Sequence, residues 1–123
     1  MRDNKDYDLE DRLIDYSVRI INISEALPDT RAGRHVSGQL LRSGTSPAPN
    51  YGEAQSAESR KDFIHKIKIA LKEMRESLVW LKVVRKAGWI TPLEKIEPLL
   101  KETDELIAIL FSSAETARKN DQR

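Results

Sequence analysis

Cysteine is absent from this chain of 123 residues. That excludes a disulfide framework and any zinc, iron–sulfur or thiolate chemistry that depends on cysteine sulfur. It also fits a reducing cytoplasm, which is where the chain is expected to work. Glycine and proline number five each and aromatic residues make up 6% of the chain, too little punctuation for an all-β fold of many short strands. No apolar run exceeds a few residues, so no membrane span is expected. The first twelve residues are rich in Asp and lack an apolar centre, so they do not read as a secretory leader. A strong charge of one sign is missing too, because 21 basic and 20 acidic side chains leave a net of +1.

What is present is a charged fraction of 33% beside 39% apolar residues, a balance typical of a soluble helical domain. The length fits one domain over residues 1–123, with residues 1–7 and 119–123 expected to fray. The near-zero total hides a segregation. Residues 60–90 carry nine basic and three acidic side chains, a net of +6, whereas residues 1–30 carry a net of −4. Most of the positive charge therefore sits on one segment.

Four helical segments follow from periodicity. In residues 8–27, Leu9, Leu13, Tyr16, Ile20, Ile23 and Leu27 recur at steps of four and three, and Ile14, Val18 and Ile21 are expected to widen the buried stripe. Pro28 stops this helix. A second segment starts near Thr30 or Arg31 and runs into Ser43-Gly44-Thr45-Ser46-Pro47-Ala48-Pro49-Asn50-Tyr51-Gly52, which predicts a kink near Pro47 and Pro49. Periodicity leaves open whether residues 31–59 form one kinked helix or two. The third segment, residues 60–87, places Ile64, Ile67, Leu71, Met74, Leu78 and Leu81 on a single seam. Ser59 is its expected N-cap and Gly88 its C-terminal stop. The fourth opens on Thr91-Pro92-Leu93-Glu94, a helix-start signature, with Ile96, Leu100, Thr103, Ile107, Leu110, Ala114 and Ala117 as its seam. Pro98 falls inside it and predicts either a kink or a short first turn before the main helix. Four segments with short connections predict an all-α, antiparallel up-down four-helix bundle.

The third segment has a second face. Lys61, Lys68, Lys72, Arg75, Lys82 and Lys86 gather on one flank, Asp62, Glu73 and Glu76 on the other, with Lys66 among the acids. Opposite the seam the wheel places Ile69, Trp80 and Val83, with His65 close by and Val79 at the edge. A monomeric bundle would leave these apolar groups wet, so they are the expected oligomer interface. The six cations are the candidate nucleic-acid contacts, since phosphates are met by Lys and Arg along an accessible face.

Nothing in the sequence spells a reaction, and an enzyme is not expected. His35 and His65 are far apart and lack partners at metal-ligand spacing, so neither a metal nor another cofactor is expected. Phosphate loops, dinucleotide fingerprints and nucleophile elbows are missing. Arg42, Asn50 and Glu53 are the structural polar residues expected at the kink, where Asn50 and Glu53 are expected to satisfy backbone groups that the prolines leave free.

Read in order, Gln39-Leu40-Leu41-Arg42-Ser43-Gly44-Thr45-Ser46, Asn50-Tyr51-Gly52-Glu53-Ala54 and Ala57-Glu58-Ser59-Arg60-Lys61-Asp62-Phe63-Ile64-His65-Lys66 form a recognisable pattern, continued by Ile69-Ala70-Leu71-Lys72-Glu73, Trp80-Leu81 and Ala87-Gly88. The chain resembles the four-helix-bundle proteins encoded in 23S rRNA intervening sequences, also labelled S23 ribosomal proteins. The resemblance implies an up-down bundle that assembles as a homopentameric ring. It also implies kinship with the accessory proteins of diversity-generating retroelements, basic barrels that associate with nucleic acid and a reverse transcriptase. By position, Arg42, Asn50, Glu53, Asp62, Phe63 and Glu73 match the family pattern, and the resemblance implies no catalytic role for them. Pro47-Ala48-Pro49 departs from the Ile-Gly-Ala usual before the Asn and predicts a stiffer turn. The reading that results is a non-enzymatic oligomer binding RNA or DNA through a ring-amplified basic surface. The alternative is a scaffold that docks a partner protein, such as a reverse transcriptase.

Overall fold

The computed structural model describes the backbone of residues 4–121 and the side chains of residues 9–120. Its helices are α1 (Asn4–Glu25), α2 (Arg31–Thr45), α3 (Pro47–Gln55), α4 (Arg60–Ala87) and α5 (Glu97–Asp121), with one 3-10 turn at Leu93–Lys95. The described residues contain no strand. α1 thus begins inside the N-terminal segment expected to fray, and α5 continues through Asp121. Residues 1–3 and 122–123 lie outside the described part.

α2 and α3 are two limbs of one bent helix, so the bundle has four helical rods. Ser46, between them, keeps helical torsions of −75° and −35°. Pro47 and Pro49 remove two donors, yet the chain does not leave the helical region. Asn50 secures the bend. Its backbone N–H donates to the Ser46 carbonyl at 3.2 Å, and its Nδ2 donates to the same carbonyl and to Ser46 Oγ, each at 3.0 Å. Glu53 takes no part there and faces Lys66 Nζ at 3.5 Å. The backbone-satisfying role expected of the pair falls to Asn50 alone, because Glu53 stands on the exposed side of α3.

The ends of α4 follow local sequence. Ser59 Oγ accepts from the Asp62 N–H at 3.0 Å, and Gly88 closes the helix in the left-handed region at φ 71°. Arg85 and Lys86 occupy the last turn, where cations suit the helix dipole. α5 begins later than its start signature predicts. Thr91-Pro92-Leu93-Glu94 opens only the 3-10 turn, and the helix proper starts at Glu97. Pro98 therefore lies in the first turn of α5, where a missing N–H costs no helical hydrogen bond.

The core is continuous from Leu9 and Leu13 through Tyr16 and Ile20 on α1, Leu40 on α2, Tyr51 on α3, Ile67, Met74 and Leu81 on α4, and Ile96, Leu106 and Leu110 on α5. Ile14, Val18 and Ile21 do not join it. They are 42–49% exposed and form a stripe on the outside of α1. The Leu9–Leu13–Tyr16–Ile20 line already fills the inward third of α1, and these three residues lie further round the same helix.

A polar layer crosses the middle of this apolar core, with one hydroxyl from each rod. Thr103 Oγ1 donates to the Leu99 carbonyl at 2.7 Å, so the Tyr16 hydroxyl, 2.8 Å away, is the donor between them. Ser77 Oγ donates to Ser43 Oγ at 2.9 Å and lies 3.0 Å from the Glu73 carbonyl. Burial pushes the Tyr16 phenol up to about 12.

Candidate nucleic-acid interface

Among the described residues, six of the eighteen Lys and Arg side chains form ion pairs, and seven of the twelve that do not lie on α4. Arg12 of α1 forks onto Glu102 of α5, at 3.1 and 2.6 Å, and reaches Glu105 at 3.2 Å. Arg42 of α2 bridges to α4, meeting Glu73 at 2.9 Å and also Glu76. Arg34, Lys66, Arg85 and Arg118 pair with Asp29, Glu53, Glu97 and Glu115. Lys61, Lys68, Lys72, Arg75, Lys82 and Lys86 do none of this. All six are exposed on α4, and none forms an ion pair among the described residues.

The reason is geometric. The buried residues Ile67, Ala70, Met74, Ser77, Leu81 and Val84 turn one side of α4 inward. Glu73 and Glu76 flank that side toward α2, where Arg42 reaches them. Lys68, Lys72 and Arg75 flank it toward α5. There they line an open groove of about 360 Å³ with Leu71, Phe111, Ala114 and Glu115. Glu115 is the acid in that lining, and Arg118 holds it below the usual carboxylate range through a hydrogen bond, with smaller help from Lys119 and Lys68. Phe111 is 48% exposed.

The apolar residues assigned to the outside of α4 separate. Trp80 is half-buried against the core, its Nε1 donates to Glu76 Oε2 at 3.0 Å, and its ring stands edge-on to His35 with centroids 6.0 Å apart. It belongs to the α2-facing flank, because Glu73, Glu76 and Trp80 follow one another at helical spacing. Ile69 is half-buried, and Val83 is exposed. Val79, assigned only to the edge, is the most exposed large apolar residue of α4 at 59%.

Two residue groups escaped the sequence reading. Phe111 lies one position off the α5 seam, and its approach to Lys68–Arg75 depends on how α5 aligns with α4. The α1 stripe escaped because its spacing is as helical as that of the buried face. Along the same stretch of α5 a wider cavity of about 860 Å³ is lined by Tyr51, Arg60, Phe63, Ile109, Ser113 and Asn120, among others. It gathers no nucleophile–base pair. Among the described residues, no three His, Cys, Asp or Glu side chains are grouped to hold a metal ion. No helix among them is long and apolar enough to cross a membrane.

The family model of the 23S rRNA-intervening sequence protein matches residues 5–112. Among solved structures, this chain is similar to a protein of unknown function from the S23 ribosomal protein family of Bacteroides thetaiotaomicron VPI-5482. The two share 37% identity and a TM-score of 0.79, over 86% of this chain and 97% of the other. No curated protein matches the chain.

Proposed function

Because this chain belongs to the 23S rRNA-intervening sequence protein family, and its solved relative has no assigned function, we propose that it acts without catalysis, as an oligomeric bundle that binds RNA or DNA through the outer face of α4. The observation that carries this reading is the concentration of unpaired cations on α4, where Lys61, Lys68, Lys72, Arg75, Lys82 and Lys86 are all exposed and none forms an ion pair among the described residues. Cations that stabilise the bundle are found facing acids. Cations that face only water hold condensed anions loosely and exchange them for phosphates with a gain in counterion entropy.

Self-association supports the same reading by repeating a modest patch into a larger field. On α1, Ile14, Val18 and Ile21 are bounded at helical spacing by Asp11 and Glu25, both exposed. On α4, Val79 and Val83 are bounded in the same way by Lys82 and Lys86. An acid-rimmed apolar stripe and a base-rimmed one suit a head-to-tail contact between copies, the kind that closes rings. A pentamer is the expected ring, with Lys61, Lys68, Lys72 and Arg75 left clear of the contact.

The test is fluorescence anisotropy with labelled RNA and DNA over a salt series. Binding is expected to weaken steeply with salt, and the Lys68→Gln/Lys72→Gln double variant is expected to bind more weakly with a shallower salt slope. Absence of binding at low salt, or a double variant that binds like the parent, defeats the reading.

A further inference from the structure

We infer that the α4–α5 groove recognises single-stranded nucleic acid, with a base stacked on Phe111 while Lys68, Lys72 and Arg75 hold the adjoining phosphates; this rests on the nucleic-acid reading above and narrows it.

Three observations meet in the groove. The first is Phe111 itself, an aromatic ring 48% exposed on a helix whose inward positions are already filled by Leu106, Leu110 and Ala114. A single surface aromatic needs no explanation by itself. The second observation supplies one: Lys68, Lys72 and Arg75 line the same groove, and none of them is neutralised by an ion pair among the described residues. The third is the state of Glu115. It is the carboxylate in the lining, and it is already engaged by Arg118 at 2.9 Å, so it opposes an incoming phosphate less than a free acid would.

An aromatic face beside a row of cations is the arrangement that binds unpaired bases. Every base offers a π-face, and the phosphates that flank it need positive charge along the strand. Along α4, Lys68 and Lys72 are separated by about 6 Å and Lys68 and Arg75 by about 10 Å at 1.5 Å of rise per residue, so the cations run as a track rather than a point. A duplex keeps its base faces inside the stack, where the ring of Phe111 does not reach them. A protein ligand would use the Phe111 ring but would leave three cations unanswered unless it brought three acids. The groove therefore favours a single strand.

Anisotropy with single-stranded oligo(U) and oligo(dT), and with a duplex of equal length, separates the outcomes. Phe111→Ala is expected to weaken single-strand binding by roughly ten-fold or more, while duplex affinity and the salt slope stay as in the parent. The loss is expected with RNA and DNA alike, because stacking reads the base face and not the sugar. Phe111→Trp is expected to retain binding and to show quenching of its indole when the single strand is added. If Phe111→Ala binds single strands like the parent, or loses single strand and duplex equally, the inference is overturned. If Lys68→Gln/Lys72→Gln still weakens binding in that case, the broader reading stands. A fall in oligomer mass for Phe111→Ala by light scattering also overturns it, by making Phe111 a contact between copies. If the parent binds neither form, both fall together.

Discussion

Ile20 occupies the space that a side chain on Gly44 would need. A Cβ at Gly44 would stand 2.6 Å from Ile20 Cγ2 and 2.7 Å from Ile20 Cγ1. Ile20 is fully buried and branched at Cβ, so it has little room to turn away. This close approach sets the separation of α1 and α2 where they cross. Gly44→Ala is expected to lower stability by about 1–3 kcal/mol through overpacking. Gly38, on the same helix, has nothing within 4 Å of its missing Cβ, so Gly38→Ala is expected to raise stability by about 0.5–1 kcal/mol. Urea denaturation of the two variants checks both signs, and equal midpoints would remove the steric argument.

The burial of Tyr16 makes the fold sensitive to alkali. Tyr16 titrates near 12 in the folded chain against 10 for a free phenol, so its contribution is complete below pH 10 and declines as the pH rises toward 12. The full decline amounts to roughly 3 kcal/mol, from two pKa units of linkage. Tyr16→Phe is expected to flatten stability over that window. Thr103→Val, which leaves the phenol without its acceptor, is expected to cost about 1–3 kcal/mol at neutral pH. Urea midpoints at pH 9 and pH 11 distinguish these outcomes.

On the acid side the sensitive group is Glu76. Its hydrogen bond from Arg42, and then that from Trp80, hold its carboxyl below the usual carboxylate range. A depressed carboxyl stabilises the fold above the unfolded pKa and loses that effect as the pH falls through the folded one. The partners are substantially exposed, so solvent screening limits the effect to about 1 kcal/mol or less. Trp80 reports it directly. In a Trp89→Phe background, indole emission is expected to change as the pH falls below 4.5 and Glu76 takes up its proton. Glu76→Gln is expected to abolish the transition, and its persistence in that variant would assign it elsewhere.

Assembly is expected to depend on α1 and the C-terminal half of α4. Val18→Glu and Val83→Glu, made separately, are each expected to shift the mass from about five copies toward the 14.1 kDa monomer while leaving helicity intact. High salt is expected to weaken the assembly, because opposite charges rim the two stripes. Trp80→Glu is expected to act differently. It breaks the packing of Trp80 on its own core and lowers thermal stability whatever the assembly does. A mass that neither valine variant changes would place the contact on another face.

Much of the fold is legible in the sequence because local rules agree with global ones. The seams of four-and-three spacing, the Ser59 cap and the Gly88 stop each need only a few neighbouring residues to define them. Where two readings satisfy the same spacing, the sequence does not choose. Ile14–Val18–Ile21 repeats as regularly as Leu9–Leu13–Tyr16, and only the number of neighbours around α1 decides which stripe is dry. Trp80 is similar, since an angle on a wheel does not say that α2 lies beside it. The basic flank was legible as a list of charges. Its pairing state was not, because Arg42 meets Glu73 and Glu76 across 31 and 34 residues of sequence. Phe111 joins the cations only through the alignment of α4 with α5, a tertiary property without a local signature.

The division of the cations also has a chemical form. Five of the six paired cations are arginines, with Lys66 as the exception, and five of the seven unpaired cations on α4 are lysines, with Arg60 and Arg75 as the exceptions. The planar guanidinium suits a fixed fork onto carboxylates, whereas an ammonium on a flexible stem stays hydrated and mobile. Acylation of lysine amines, by reagent or enzyme, would therefore discharge the outer face and leave the arginine clamps of the bundle in place. Surface charge and fold integrity are adjustable independently in this molecule, through two different functional groups.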